Sequence, residues 1–354
     1  MRTDPQLPAV FTTAGALAQG LTGHMVDARV AGGRWRRLRR GVYCTASTWN
    51  AADARGRHVL KARAAVLSRA AEGVISHVSA AAVHGWPLPL DVPTDVFLTA
   101  ASLDEPTRRL DGLVVQVAGL PAGDVTRRRG LVLTSPARTV ADCLRHLPAA
   151  DAVAIADHAL AQGDVDPAAL ADAIRRQEAW PYAAAAARAL PLIDSRRESW
   201  LESWSFVRLW ERGIELPEPQ VWVYDESGRF VARVDGLWRR YGTVCEADGR
   251  GKYLQLLDDG PPDPKRIAAA VLKEKKREDA LRGTGLEVVR WDTREITRHL
   301  PEVVRRVHET WRRGDPRRFR GSFRVEPRLE LTQTRLFGPE PAPQPGFGEQ
   351  TGAG

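Results

Sequence analysis

The stretch that decides the fold of the C-terminal half is VARVDGLWRRYGTVCEADGRGKY, residues 231–253. Its alternating pattern predicts two β-strands joined by a short polar turn at residues 239–242. Asp235 lies in the first strand, and Glu246 and Asp248 lie in the second. Because side chains alternate between the two faces of a strand, Glu246 and Asp248 point the same way. The hairpin is therefore predicted to carry a cluster of carboxylates.

A cluster of this kind needs a positively charged partner. Val244 and Cys245 indicate that the second strand is buried, and a buried carboxylate without a partner is costly. Carboxylate oxygens hold Mg²⁺, and a bound metal activates water and stabilises the leaving oxygen in phosphodiester hydrolysis. Lys252 follows the second strand and adds a positive charge. The pattern predicts a divalent-metal site.

The same hairpin also fits a purely structural role. In that interpretation its acids face water or form ion pairs with arginines of the same stretch. These arginines are Arg233, Arg239 and Arg250. The bare pattern leaves both interpretations open.

Four phrases in order resemble the restriction-endonuclease superfamily, whose core motif is PD-(D/E)XK, and more closely its very-short-patch-repair-like domains. They are ESWLES, GRFVARVDGLW, CEADGRGKY and EKKREDALRGTGLEVVRWD, and they cover residues 197–296. The resemblance implies an α/β endonuclease-like domain that uses Mg²⁺ or Mn²⁺. It implies Asp235 and Glu246 as metal ligands, within a catalytic set of Glu202, Asp235, Glu246, Asp248 and Lys252. Asp248 stands where the superfamily has its lysine, so Lys252 is expected to supply that charge.

One helix is predicted before the hairpin in the sequence, and a charged helix is predicted after it. Ser195 and Glu198 are spaced as a capping box, which predicts a helix that opens at Asp194 or Ser195. In this interpretation Glu198 belongs to the cap, and Glu202 is the helical glutamate of the superfamily pattern. The phrase LKEKKREDALR predicts a later helix, on which Lys275 and Arg277 are expected to contact solvent or phosphate.

Composition describes a soluble globular chain. Its 354 residues are 43% apolar and 27% charged, with a formal net charge of +8. No apolar run is long enough to cross a bilayer, and the first residues lack a signal pattern. The three cysteines are far apart, which fits a reducing cytoplasm. We therefore expect a cytoplasmic protein without a membrane partner, and the positive charge favours double-stranded DNA.

Positive charge is concentrated near the N-terminus. Residues 29–40 contain six arginines and no acid. A helix capped by Thr22, followed by the strand and turn WRRLRRGVY, predicts a winged-helix domain that binds DNA. The predicted phosphate contacts are Arg34, Arg36, Arg37, Arg39 and Arg40. Strand alternation places Arg34 and Arg36 on one side, and Arg37 and Arg39 on the other. The alternative is a solvated basic hairpin that packs Trp35, Leu38 and Val42 inward.

The N-terminal half resembles the AbiEi-type antitoxins of type IV toxin–antitoxin systems. The phrases TTAGALAQGL, RWRRLRRGVY, SHVSAAAVHG and LTSPARTVADCL carry the resemblance, which spans residues 10–147. It implies a winged helix that binds operator DNA and a following domain used in regulation or neutralisation. It also implies a cognate toxin as partner.

Together these patterns predict a multi-domain chain of mixed α/β class. The expected parts are a winged helix (residues 1–54), a mixed α+β middle domain (55–147), a helical bridge (148–193), an endonuclease-like α/β domain (194–312) and a basic, then Pro/Gly-rich, disordered tail (313–354). Two functions remain open. One is a DNA-binding transcriptional regulator, and the other is a Mg²⁺-dependent DNA endonuclease targeted by the winged helix.

Overall fold

The chain is described here by a computed structural model. It covers residues 7–68, 73–101, 107–248 and 264–328, with side chains from residue 272 onward in the last range. Lys252, Arg250 and residues 329–354 of the predicted tail lie outside these ranges. The chain divides into two compact units, Met1–Leu147 with Asp164–Ala186, and Pro148–Gly163 with Ala187–Gly354. Both helices and mixed sheets are present, which confirms the predicted mixed α/β class.

The first unit begins with two helices and a small sheet. The elements are β1 (Phe11–Thr12), α1 (Thr13–Ala18), α2 (Gly23–Ala31), β2 (Trp35–Arg39), β3 (Val42–Thr45), α3 (Ala46–Ala51) and α4 (Ala54–Ser68). The sheet order is β1-β3-β2. Thr22 caps α2 by accepting a hydrogen bond from the Met25 N–H, as predicted. Phe11, Trp35 and Tyr43 form the aromatic core between helices and sheet.

A β-bulge changes the predicted alternation of the arginines on β2. The register pairs Arg36 with Cys44 and Arg37 with Tyr43, but then shifts so that Arg39 pairs with Val42. Directly paired residues point to the same face, so Arg39 lies on the side of Arg36 and opposite Arg37. The prediction that Arg37 and Arg39 share a side was wrong, because Leu38 is the extra residue of the bulge.

The rest of the first unit is a six-stranded mixed sheet with helices packed on it. The strands are β4 (Val74–Ile75), β5 (Val96–Ala100), β6 (Arg108–Leu110), β7 (Leu113–Val117), β8 (Val125–Arg128) and β9 (Leu131–Thr134), with α5 (His77–His84) and α6 (Pro136–His146). Their order is β6-β7-β5-β4-β9-β8. Helix α4 packs on both sheets of this unit, since Leu60 joins the N-terminal core and Ala62 joins that of the larger sheet.

A buried ionic network lies within α6. Asp142 is fully buried and accepts hydrogen bonds from Arg138 Nε (3.0 Å) and Arg145 Nη2 (3.1 Å). Burial alone would raise the pKa of Asp142, but the charges of His77, Arg138 and Arg145 lower it. This carboxylate is therefore held ionised by its neighbours.

Residues 148–193, predicted as a helical bridge, contain three helices. They are α7 (Ala149–Ala161), α8 (Pro167–Arg175) and α9 (Ala183–Ala189). Helix α7 belongs to the second unit and α8 to the first, and the boundary between the units falls within α9. In the second unit, α7 packs against the helix that begins at Trp200.

The second unit contains the predicted hairpin. Its elements after α9 are α10 (Trp200–Trp210), β10 (Glu218–Asp225), β11 (Phe230–Trp238), β12 (Thr243–Asp248), α11 (Pro264–Gly283), β13 (Glu287–Asp292), α12 (Thr293–Arg298), α13 (Leu300–Arg313) and β14 (Gly321–Arg324). The sheet order is β13-β12-β11-β10-β14, and β12 and β13 run parallel. Gly242 closes the turn between β11 and β12 with φ +53°, a conformation that favours glycine.

Two boundaries of this unit differ from the predictions. Ser199, not Ser195, is the N-cap of α10, and its hydroxyl accepts a hydrogen bond from the Glu202 N–H at 3.1 Å. Glu198 lies before the helix and pairs with Arg233, so its interpretation as a cap was wrong. The strand β14 was not predicted, and it pairs with the edge strand β10. Among the described helices, none is long and apolar enough to cross a membrane.

Candidate functional site

A row of polar side chains crosses four adjacent strands of the second unit. In the ladder between β10 and β11, Pro219 pairs with Gly236 and Val221 with Val234, so Gln220 and Asp235 lie between the same two pairs. The ladder between β11 and β12 ends at Gly236 and Cys245, the residues next to Asp235 and Glu246. In the parallel ladder that follows, Glu246 pairs with Arg290 of β13. We call Gln220, Asp235, Glu246 and Arg290 the polar row. The negative charge of Asp235 contributes to the raised pKa of Glu246, so the two predicted metal ligands are neighbours.

Glu202 reaches this row from α10. Its side chain is 5% exposed. Its Oε2 accepts hydrogen bonds from Gln220 Nε2 at 2.6 Å and from the Glu198 N–H at 3.1 Å. Burial raises the pKa of Glu202 to about 7, and the negative charge of Asp235 adds to the effect. The structure therefore brings the predicted helical glutamate close to Asp235.

Glu246 is fully buried and is held by an arginine from α11. Arg277 donates to both carboxylate oxygens, at 2.6 Å and 3.0 Å, and to the carbonyl oxygen of Arg233 at 2.6 Å. Burial raises the pKa of Glu246 to about 7, Arg277 and Arg290 oppose that rise, and Asp235 adds to it. The expectation that Arg277 contacts solvent or phosphate was wrong, because its guanidinium lies against the polar row.

Asp235 and Asp248 occupy different positions around the ion pair of Glu246 and Arg277. Asp235 accepts a hydrogen bond from the Ala247 N–H at 2.8 Å. Asp248 lies at the end of β12, 3.6 Å from Arg290, whose guanidinium is also 3.6 Å from Glu246. Arg290 further pairs with Glu274 of α11. Glu246 and Asp248 thus share Arg290, and the charge of Asp235 raises the pKa values of both Glu202 and Glu246. The fifth predicted catalytic residue, Lys252, lies outside the described residues.

Gln220 was not identified from the sequence. It has φ +56°, in the left-handed region that non-glycine residues rarely adopt, and it is 5% exposed. Such a conformation costs about 1–3 kcal/mol and persists where surrounding contacts impose it. Here it directs the amide of Gln220 to Glu202. The phrase EPQVWV contains no signal for this role, because a glutamine within a strand is an ordinary polar residue.

The donor chemistry of this site suits a hard divalent cation. Glu202, Asp235 and Glu246 supply carboxylate oxygens, the ligand type that Mg²⁺ prefers. Within the described residues, however, no group of three or more His, Cys, Asp or Glu side chains is arranged to hold a metal ion. Arg277 binds both oxygens of Glu246. A metal that uses Glu246 must therefore compete with Arg277.

The first unit contains a separate basic feature. A groove of about 520 Å³ is lined by β2, the turn that follows it, and α4. We call it the arginine groove, and its basic residues are Arg36, Arg37, Arg39, Arg40 and Lys61. Among the described lining residues, Asp111 is the single acid. Arg36 stacks over Trp49 with 4.3 Å between guanidinium and ring centre.

Three arginines of residues 29–40 differ in exposure or partners from the exposed groove residues Arg36, Arg37 and Arg40. Arg34 is exposed and does not line the arginine groove. Arg39 is half-buried and donates to the carbonyl oxygen of Asp111 at 2.9 Å. Arg29 is buried, lies 5.5 Å from the ring centre of Trp35 and donates to the carbonyl oxygen of Met25. Arg29 therefore supports the core of the small sheet.

No protein-family model and no curated protein matches the chain. The two resemblances drawn from the sequence phrases therefore remain predictions.

Proposed function

We propose that this protein is a DNA-binding transcriptional regulator resembling AbiEi-type antitoxins, and that the arginine groove contacts the DNA backbone. The observation that carries the proposal is the concentration of Arg36, Arg37, Arg39, Arg40 and Lys61 around one groove with a single described acid. Arginine and lysine contacts to phosphates fix a protein on the duplex without reading its sequence.

The neighbouring helix supports this assignment. Helix α2 precedes β2 and leaves His24, Asp27 and Ala28 exposed, while Val26 packs inward. A helix beside a basic hairpin is the arrangement that a winged-helix domain requires, with the helix in a groove of DNA and the hairpin on the backbone. A cytoplasmic location and a cognate toxin are parts of the same proposal.

The test is DNA binding by the full chain at several salt concentrations. Each phosphate contact that is lost reduces the slope of log K against log salt by about 0.9. Replacing both Arg36 and Arg40 by Gln removes two exposed groove residues, so the slope should fall by about 2. Binding should weaken on all duplex sequences alike.

Arg109→Gln is the matched control. Arg109 is an arginine of the same unit on β6, its side chain is 76% exposed and it pairs with Asp95. It does not line the groove. This variant should keep the wild-type slope. If the double variant also keeps that slope, the arginine groove is not the DNA interface.

The second candidate function is a Mg²⁺-dependent DNA endonuclease. The observation that favours it is the convergence of Glu202, Asp235 and Glu246, with two of the three carboxyl pKa values raised to about 7. Carboxyl groups with raised pKa values cluster at functional sites. When bound, a metal ion would supply an activated water and stabilise the leaving oxygen. Asp235 and Glu246 are the residues that would hold it.

Calorimetry with Mn²⁺ tests this candidate. The wild type should bind the metal, and Asp235→Asn or Glu246→Gln should abolish binding, because each replaces an anionic ligand by a neutral one of the same shape. Far-UV circular dichroism checks that both variants remain folded. Equal binding by the wild type and both variants would exclude Asp235 and Glu246 as ligands. A plasmid-cleavage assay with Mg²⁺ then tests activity.

A further inference from the structure

A cavity of about 390 Å³ lies beside the polar row in the second unit. Its walls come from α7, the first turn of α10 and the segment before it, and strands β10 and β11. Gln220 and Arg233 line this cavity. Gln220 also donates to Glu202, and the carbonyl oxygen of Arg233 accepts from Arg277, so the cavity lies beside the group of Glu202, Asp235 and Glu246, which we call the acidic site. A ligand in the cavity would therefore lie next to the carboxylates.

One side of the cavity is suited to an anion. Ser199 and Trp200 begin α10, whose N-terminus carries the positive end of the helix dipole. Arg197 also lines the cavity and is 3% exposed. Its Nη1 binds Asp157 at 2.9 Å, but its Nε has no hydrogen-bond partner among the described residues. A buried donor without a partner is a position that a ligand can satisfy.

Arg233 supplies a more accessible positive charge. Its side chain is 33% exposed and pairs with Glu198, which is 58% exposed. Because Glu198 reaches solvent, a phosphate group can replace it on Arg233 and form a charge-assisted hydrogen bond. Glu326 is the other acid in the wall, and its carbonyl oxygen accepts a hydrogen bond from Arg196.

The rest of the wall is suited to a base. Trp200 is half-buried and stacks on Trp204, with ring centres 5.4 Å apart. Stacking of a nucleobase on an aromatic side chain contributes about 1–3 kcal/mol. Gln162, which is exposed, adds a polar group that can bind a base edge.

We propose that this cavity binds one nucleotide of a nucleic-acid strand. The phosphate lies at Arg233 and the first turn of α10, and the base lies against Trp200. This assignment goes beyond both functions above, because it requires neither metal nor cleavage. Its test is therefore run without metal, so its failure is distinct from a failure of either proposed function.

The experiment is calorimetry on the full chain with thymidine 5′-monophosphate, thymidine, inorganic phosphate and a 5′-phosphorylated dinucleotide. We expect the monophosphate to bind more tightly than thymidine or phosphate, and the dinucleotide more tightly still. Arg233→Gln should weaken monophosphate binding by about 10-fold or more, because it removes a hydrogen bond between charged groups. Arg239→Gln is the matched control, since Arg239 lies just after β11, pairs with Glu218 and does not line the cavity.

A second control separates the cavity from the arginine groove. The variant with Gln at positions 36 and 40 should bind the monophosphate as the wild type does. Loss of binding in that variant would place the nucleotide in the groove and overturn the proposal. So would unchanged binding by Arg233→Gln. Equal affinity for phosphate and monophosphate would exclude the base contact, and tighter binding of the monophosphate than of the dinucleotide would exclude a strand as the source.

Discussion

Replacing Glu202 by Gln should change how the stability of the protein depends on pH. Glu202 Oε2 accepts hydrogen bonds from Gln220 and from the Glu198 N–H, and the Ser199 side chain also hydrogen-bonds the carboxyl group. The amide oxygen of Gln can occupy that position and keep both bonds. The substitution therefore removes the titrating group and its charge with little change in shape.

The magnitude follows from the raised pKa. The pKa of Glu202 rises from 4.5 to about 7 in the folded protein. Between these pH values the folded protein holds a proton that the unfolded chain has released, so the free energy of unfolding falls as pH rises. The loss is about 3 kcal/mol, complete above pH 7. Below pH 4.5 Glu202 contributes no such loss, because both states are protonated.

We therefore expect Glu202→Gln to match the wild type near pH 4 and to be more stable by about 3 kcal/mol at pH 8. Urea unfolding of the full chain, followed by tryptophan fluorescence from pH 4 to 8.5, measures the difference. Glu226→Gln removes an exposed carboxylate before β11 and should leave the wild-type profile unchanged. Parallel profiles for the wild type and Glu202→Gln, or a variant less stable at pH 8, would refute the reasoning.

Three further predictions concern the same unit. Arg277→Gln should raise the affinity for Mn²⁺ by at least 10-fold in calorimetry, because it releases both oxygens of Glu246. Equal or weaker binding would contradict competition between Arg277 and the metal. If Lys252 stabilises the transition state, Lys252→Met should lower the rate of plasmid cleavage by about 100-fold and leave metal affinity unchanged. An unchanged cleavage rate would remove Lys252 from the catalytic set. Gly236→Ala should destabilise the protein by about 1–3 kcal/mol in urea unfolding, because a Cβ there would lie 2.6 Å from Cys245 Sγ and 2.8 Å from the Pro217 ring. Gly283→Ala, where no atom lies within 4 Å of the added Cβ, should not destabilise it.

The hairpin could be predicted from the sequence because strand alternation is a local signal. The pattern from β11 to β12 placed Asp235 and Glu246 on adjacent strands, and the observed ladder pairs the residues next to them, Gly236 and Cys245. The helix start could not be predicted in the same way. Ser195 with Glu198, and Ser199 with Glu202, both have the spacing of a capping box. Tertiary contacts decide between them, since Arg197 forms a buried ion pair with Asp157.

Arg277 was assigned to the surface because residues 273–279 of α11 are all charged, so no apolar residue there marks the inner face. Glu274, Arg277 and Glu278 are half-buried, and they precede the buried Leu281 at helical spacing. The inner face of this helix is therefore charged where it meets the polar row. Hydrophobic periodicity detects apolar faces, so a helix that packs charged residues against a charged site gives no signal.

Two of the buried carboxylate sites among the described residues, at Asp142 and at Glu246 with Glu202, differ in how far their charges are matched. Asp142 binds two arginines, and its pKa is lowered although burial raises it. Glu246 binds Arg277, yet burial keeps its pKa raised to about 7, and among the described residues no cation pairs with Glu202. An unmatched buried carboxylate costs several kcal/mol. Glu202 in the acidic site is such a carboxylate, and the strained backbone of Gln220 beside it is a further cost in folding free energy. If Asp235 and Glu246 bind the proposed metal ion, that cation would offset the shortage of positive charge at Glu202 and Glu246.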